Sequence, residues 1–135
     1  MFRRVVLLLT LSALSACVWR SYESIVEVHL TVLLQMTDKL CGIGEDAHVP
    51  AAADMAEFTY PAQRGRQFLR QFQRYAERSS YKDFGEFLDH YEAMLKRVDA
   101  ARVNPESWHA ERPLQLRDRA LLSHLAATIR RDLKG

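Results

Sequence analysis

Little in this chain of 135 residues announces chemistry. It holds two cysteines, Cys17 and Cys41, and neither belongs to a Cys-x-x-Cys-His run, so covalently attached haem has no support. Internal repeats and low-complexity tracts are absent. A long hydrophobic span is missing too. The nearest approach, Val5 to Val18, covers 14 residues and includes Ser and Thr, against about 20 for a membrane-crossing helix. An excess of one charge is also lacking. Of the 19 basic side chains, Arg3 and Arg4 alone account for the formal charge of +2, leaving 17 basic against 17 acidic from residue 17 onward. A nucleic-acid-binding domain normally carries a net basic charge, and this balance argues against one.

The most informative residues are the first seventeen. Arg3 and Arg4 form a positive start, Val5 to Leu14 a short apolar run, and small residues lead into Leu14-Ser15-Ala16-Cys17. That order is what a secretory signal needs. The ending resembles the lipobox of bacterial lipoprotein signal peptides, Leu-(Ala/Ser)-(Gly/Ala)-Cys. The resemblance covers the signal and the cysteine only. It implies that residues 1–16 are removed, that Cys17 gains a thioether-linked diacylglycerol, and that its freed amino group is acylated. A cysteine is required because a thiolate attacks the lipid donor. Small neighbours let extended backbone enter a narrow protease cleft. The alternatives are an uncleaved transmembrane helix, for which the run is short, and an ordinary signal followed by a chance cysteine.

On this reading residues 1–16 are the signal peptide and 17–135 a single domain of 119 residues, long enough for one core. Cys41 then has no thiol partner within the chain. The location is the cell membrane or outer membrane, lipid-anchored, with the domain outside the cytoplasm. Val18, where enteric-type sorting retains lipoproteins with Asp, leans toward the outer membrane. Trp19 and Arg20 suit the headgroup zone.

The rest predicts an all-α fold, a compact bundle of about four helices. The first spans about Ser21 to Cys41, with Tyr22, Ile25, Val26, His29, Leu30, Leu33, Met36 and Leu40 near one stripe and Gly42 as its stop. Val26, Val28, Leu30 and Val32 also alternate with polar residues, which is a strand pattern. A lone strand would leave its backbone groups unpaired, so helix is preferred. Residues 42–60 read as a link with one short helix at 51–58. The second main helix runs 61–78 with Pro61 in its first turn. Ser79 or Ser80 caps the third, to about Val103, whose Phe84, Leu88, Tyr91, Leu95 and Val98 step by 4, 3, 4 and 3 with Phe87 and Met94 alongside. Asn104-Pro105 stops it. The fourth starts between Pro113 and Leu116 and ends near Lys134, with Leu114, Leu121, Leu122, Leu125 and Ile129 inward.

Arg66, Arg70, Arg74 and Arg78 form an i+4 ladder interleaved with Phe68, Phe72 and Tyr75. It looks like a basic-aromatic nucleic-acid face; outside the cytoplasm nucleic acid is set aside, which leaves anionic lipid, glycan or an acidic partner as the functional reading. The preferred reading is structural. The short connection makes helices two and three an antiparallel hairpin, in which Arg74 meets Glu86, Arg70 meets Asp89 and Arg66 meets Glu92.

Metal and nucleophile motifs are weaker. Glu45-x-x-His48 and Glu106-x-x-His109 match half of a carboxylate-bridged di-iron pattern, but both fall in predicted loops, whereas that chemistry needs facing helices. His29, His90 and His124 lie on separate helices. Cys41 with a histidine is not ordered by any motif, and its plain reading is a small apolar residue at a helix end. No cofactor and no nucleic acid are expected. The reading is a membrane-anchored bacterial envelope lipoprotein, a non-enzymatic interaction or assembly module held by the bilayer through Cys17 and meeting an envelope protein partner. The runner-up is a helical bundle binding a small apolar ligand, and an enzyme comes third.

Overall fold

Alternation and helical period compete in residues 25–34, and burial decides between them. In the computed structural model, which describes residues 22–42 and 48–135, residues 22–40 are helical (α1). Tyr22, Val26, Leu30, Leu33, Thr37 and Leu40 are buried, while Val28, which a strand would place beside Val26, is 61% exposed. Gly42 ends the helix at φ 65°, donating its amide to the Lys39 carbonyl. A left-handed residue after the last turn favours glycine, which has no Cβ to clash. The lipobox, Cys17, Trp19, Arg20 and Glu45 lie outside the described residues.

The second helix corrects the sequence reading. The short helix expected at 51–58 and the long one expected from Pro61 are a single helix, α2, over Ala52–Gln71. Pro61 sits in its interior, where a missing N–H and ring crowding cost about 3 kcal/mol. Met55 and Phe58 before it and Ala62, Gly65, Phe68 and Leu69 after it are all buried, so the helix gains apolar burial on both sides of the proline. The fully buried Tyr91 donates its hydroxyl to the Phe58 carbonyl at 2.7 Å, beside the interrupted ladder. Asp54 accepts from the Ala51 amide at 2.9 Å and closes the first turn.

α2 stops at Gln71, earlier than the expected Arg78, and a 3-10 turn at Gln73–Tyr75 leads into α3, Ser79–Ala101. Arg78, rather than a serine, is the residue before α3, without a side-chain cap. Ser80 is buried instead, its hydroxyl 3.0 Å from that of Tyr22. The seam of α3 is as read: Phe84, Phe87, Leu88, Tyr91, Met94, Leu95 and Val98 are all buried.

α4 spans Pro105–Lys134, some eight residues earlier than expected. Asn104 both ends the α3 region and caps α4: its Oδ1 accepts from the Glu106 and Ser107 amides at 2.9 and 3.1 Å. Pro105 takes the first helical position, where its missing N–H costs nothing. Pro113 therefore lies inside the helix. The earlier start changes the inward face. Trp108, Glu111, Gln115, Leu122, Ala126 and Ile129 are buried, whereas Leu114 and Leu121 are 42% and 37% exposed.

Side-chain pairs give the order of the helices. Lys39 on α1 bonds Glu57 on α2 at 2.7 Å, Tyr81 on α3 donates to the Leu69 carbonyl on α2, and Arg97 on α3 reaches Glu111 and Asp118 on α4. Asp38 and Glu27 on α1 hold Arg119 and Arg130 on α4 at 2.7 and 2.8 Å. Between α1 and α4, and between α2 and α3, where Arg66 also reaches Glu92, rising numbers on one helix meet falling numbers on the other. The result is a four-helix, up-down-up-down ring with no strand among the described residues. No helix among them is long and apolar enough to cross a membrane.

Candidate functional site

The arginine ladder does not survive as one face. An i+4 row stays aligned only while the helix continues, and α2 ends between Arg70 and Arg74. Arg66 and Arg70 remain on α2. Arg74 falls in the 3-10 turn and stacks over the rings of Phe72 and Tyr75 at 5.2 and 5.0 Å. Arg78 lies over Tyr75 and Tyr22 and pairs with Glu23 on α1 at 3.3 Å. Together with Phe68 these rings close the end of the bundle where the described part of α1 begins, with Tyr22 and Tyr75 centroids 4.3 Å apart.

Of the three pairings expected across the hairpin, one is present. Arg66 donates from Nε to Glu92 at 2.7 Å and from Nη2 to Asp89. Burial works against its charge, but the two carboxylates outweigh that and raise its pKa. Asp89 is thus taken by Arg66 rather than by Arg70, and Glu86 faces His90 at 3.6 Å rather than Arg74. Arg70 is exposed and makes no ion pair among the described residues. Reversing Arg66 to Glu should therefore lower stability by about 1–2 kcal/mol, through two lost pairs and new like-charge repulsion. Arg70→Glu should stay within about 0.5 kcal/mol of the parent. Urea denaturation midpoints separate the two, and equal losses would contradict this assignment.

Between α2 and α3 lies an open cleft of about 510 Å³. Met55, Ala62 and Leu95 supply its apolar floor, and each is buried. Arg66, Arg70 and Lys96 stand around it. Gly65 lets the two helices approach beside it: a Cβ there would meet Leu88 Cδ2 at 3.0 Å. Because Arg66 is neutralised by Glu92 and Asp89, the unspent charge at the rim belongs to Arg70 and Lys96, both exposed. An apolar floor under two cations that make no ion pair among the described residues suits a ligand or chain carrying apolar groups and carboxylates.

The other candidate residues do not converge. Glu106 and His109 lie on α4, not in a loop, and both point to solvent, as does His48. His29 packs against the rings of Phe68 and Phe84 at 5.3 and 6.0 Å, and burial lowers its pKa. His90 is half-buried on α3 and His124 exposed on α4. No three His, Cys, Asp or Glu residues among those described are grouped to hold a metal ion. Cys41 is fully buried, with Sγ 3.5 Å from the Gln115 carbonyl, and desolvation pushes its thiol up to about 11. A thiol so protonated at neutral pH is a packing group rather than a nucleophile.

Two features had no visible signal in the sequence. Arg97 binds both Glu111, at 3.1 Å, and Asp118, and so locks α3 to α4; its pKa rises because the carboxylates outweigh its burial. Gln115 is fully buried, its Oε1 accepting from Arg112 at 3.1 Å while Nε2 has no partner among the described residues. Glu111 joins the pairing with Arg97 because α4 reaches back to Pro105, which hydrophobic period alone does not reveal. No protein-family model matches this chain, and neither a curated protein nor a solved structure matches it.

Proposed function

We propose that this chain is a bacterial cell-envelope lipoprotein, tethered through Cys17, whose helical domain is a non-enzymatic interaction module that docks an acidic segment of an envelope partner in the α2/α3 cleft. The observation that carries the tether is Leu14-Ser15-Ala16-Cys17 behind a charged, apolar leader. Acyl chains contribute about 0.8 kcal/mol per buried methylene, and more than one chain makes attachment lasting. Between Cys17 and the described start of α1 the chain can extend at most about 3.6 Å per residue. Four intervening residues therefore keep the aromatic end of the bundle, with Arg74 and Arg78, within reach of lipid headgroups.

The cleft supports docking through its charge. Among the described residues Arg70 and Lys96 make no ion pair, the lining carboxylates Glu92 and Asp99 being held by Arg66 and Arg102, and Met55, Ala62 and Leu95 offer apolar contact between them. The α2/α3 cleft opens to the surface, which favours a docked chain over an enclosed apolar ligand. A photo-crosslinking residue placed at Gln63, on the cleft wall, tests this in the native envelope. A discrete adduct to one envelope protein is expected, lost in Arg70→Glu/Lys96→Glu and weakened by salt, with helicity unchanged. An adduct indifferent to that charge reversal, or none from Gln63, would refute the docking site.

A further inference from the structure

The conflict between the expected and observed faces of α4 leaves a second surface. Leu114 and Leu121, exposed on α4, flank a depression of about 370 Å³ that Arg97, Arg117 and Asp118 also line. Along the helix the order is leucine, two residues, cation, anion, two residues, leucine. Turned end for end, the segment presents the same apolar positions with its two charges exchanged. A two-fold axis between residues 117 and 118 therefore sets Leu114 against Leu121 of the partner subunit, and Arg117 beside Asp118 of the partner subunit. We infer that this face pairs two copies of the chain, with their α4 helices antiparallel.

The charges are arranged for it. Arg117 is exposed and makes no ion pair among the described residues. Asp118 is held by Arg97 through Oδ2, so the acceptor is already oriented, and its Oδ1 accepts no hydrogen bond among the described residues. Each Arg117 can extend across the depression toward that oxygen. Opposite charges and leucines then meet in the same register, whereas a parallel pairing would set Arg117 against its own copy. With few apolar side chains in each half, the contact is that of a weak, reversible dimer rather than an obligate one. The antiparallel geometry places the N-terminal ends of the two bundles at opposite ends of the pair. Two copies anchored in one leaflet would then lie with their long axes along the bilayer.

Cysteine crosslinking of the full chain in detergent micelles tests the register. A chain with Leu114→Cys and Leu121→Cys should form a disulfide-linked dimer on mild oxidation, while either single variant and the parent should give roughly a tenth of that yield or less. The two positions on one helix are about 10.5 Å apart, too far to close within a chain. Adding Arg117→Asp should cut the yield roughly tenfold by placing carboxylates together. The two leucines and Arg117 are all exposed, and sedimentation of the parent chain should show a concentration-dependent dimer. Double-cysteine chains that stay monomeric, single variants that link equally well, or indifference to Arg117→Asp would overturn the inference.

Discussion

Phe84→Ala is expected to lower the stability of the domain by about 3–5 kcal/mol, a large part of the 5–15 kcal/mol that a domain of this size possesses. Phe84 is fully buried and stands where three helices meet. Its ring is 6.1 Å from that of Phe68 on α2, 6.0 Å from His29 on α1 and 6.5 Å from Phe87 on its own helix. It also lies against the close approach at Gly65. Truncation would remove apolar contacts to all of these and leave a cavity that two rigid rings cannot collapse to fill. The denaturant midpoint of the purified protein measures the loss. A change below about 1 kcal/mol would mean that the helices do not converge at this ring.

How much of this was legible follows from which patterns survive without tertiary context. The seam of α3 was readable in full, because steps of 3 and 4 from Phe84 to Val98 fit one helix face and nothing else. α1 was readable once unpaired strand edges were counted against the alternation of Val26 to Val32. The prolines misled. Pro61 and Pro113 look like helix starts because a proline at the first position and a proline in mid-helix have the same local sequence. What distinguishes them is whether burial on both sides offsets the cost of the break, and that is a tertiary fact. Asn104-Pro105 shows the converse, since a residue pair that stops one helix is also a cap and first position for the next. Shifting the start of α4 then moved Leu114 and Leu121 outward. The arginine ladder failed for a related reason: its period was real, but the helix that would carry it ends at Gln71.

The other large effect concerns the proposed tether. Cys17→Ser is expected to abolish lipid attachment altogether, because a serine hydroxyl is not a thiolate at neutral pH and cannot take the diacylglycerol. Incorporation of labelled fatty acid should fall to background in the variant, with the helicity of the domain unchanged. The same substitution at the buried Cys41 should leave incorporation untouched. Label retained in Cys17→Ser, or lost in Cys41→Ser, would assign the lipid to another residue.

Intact-mass measurement of the parent protein purified from membranes tests the tether most directly. The expected species is a chain that begins at Cys17, lacks residues 1–16 and carries the added mass of acyl chains on that residue. A chain that begins at Met1, or one cleaved elsewhere and bearing no lipid, would contradict it.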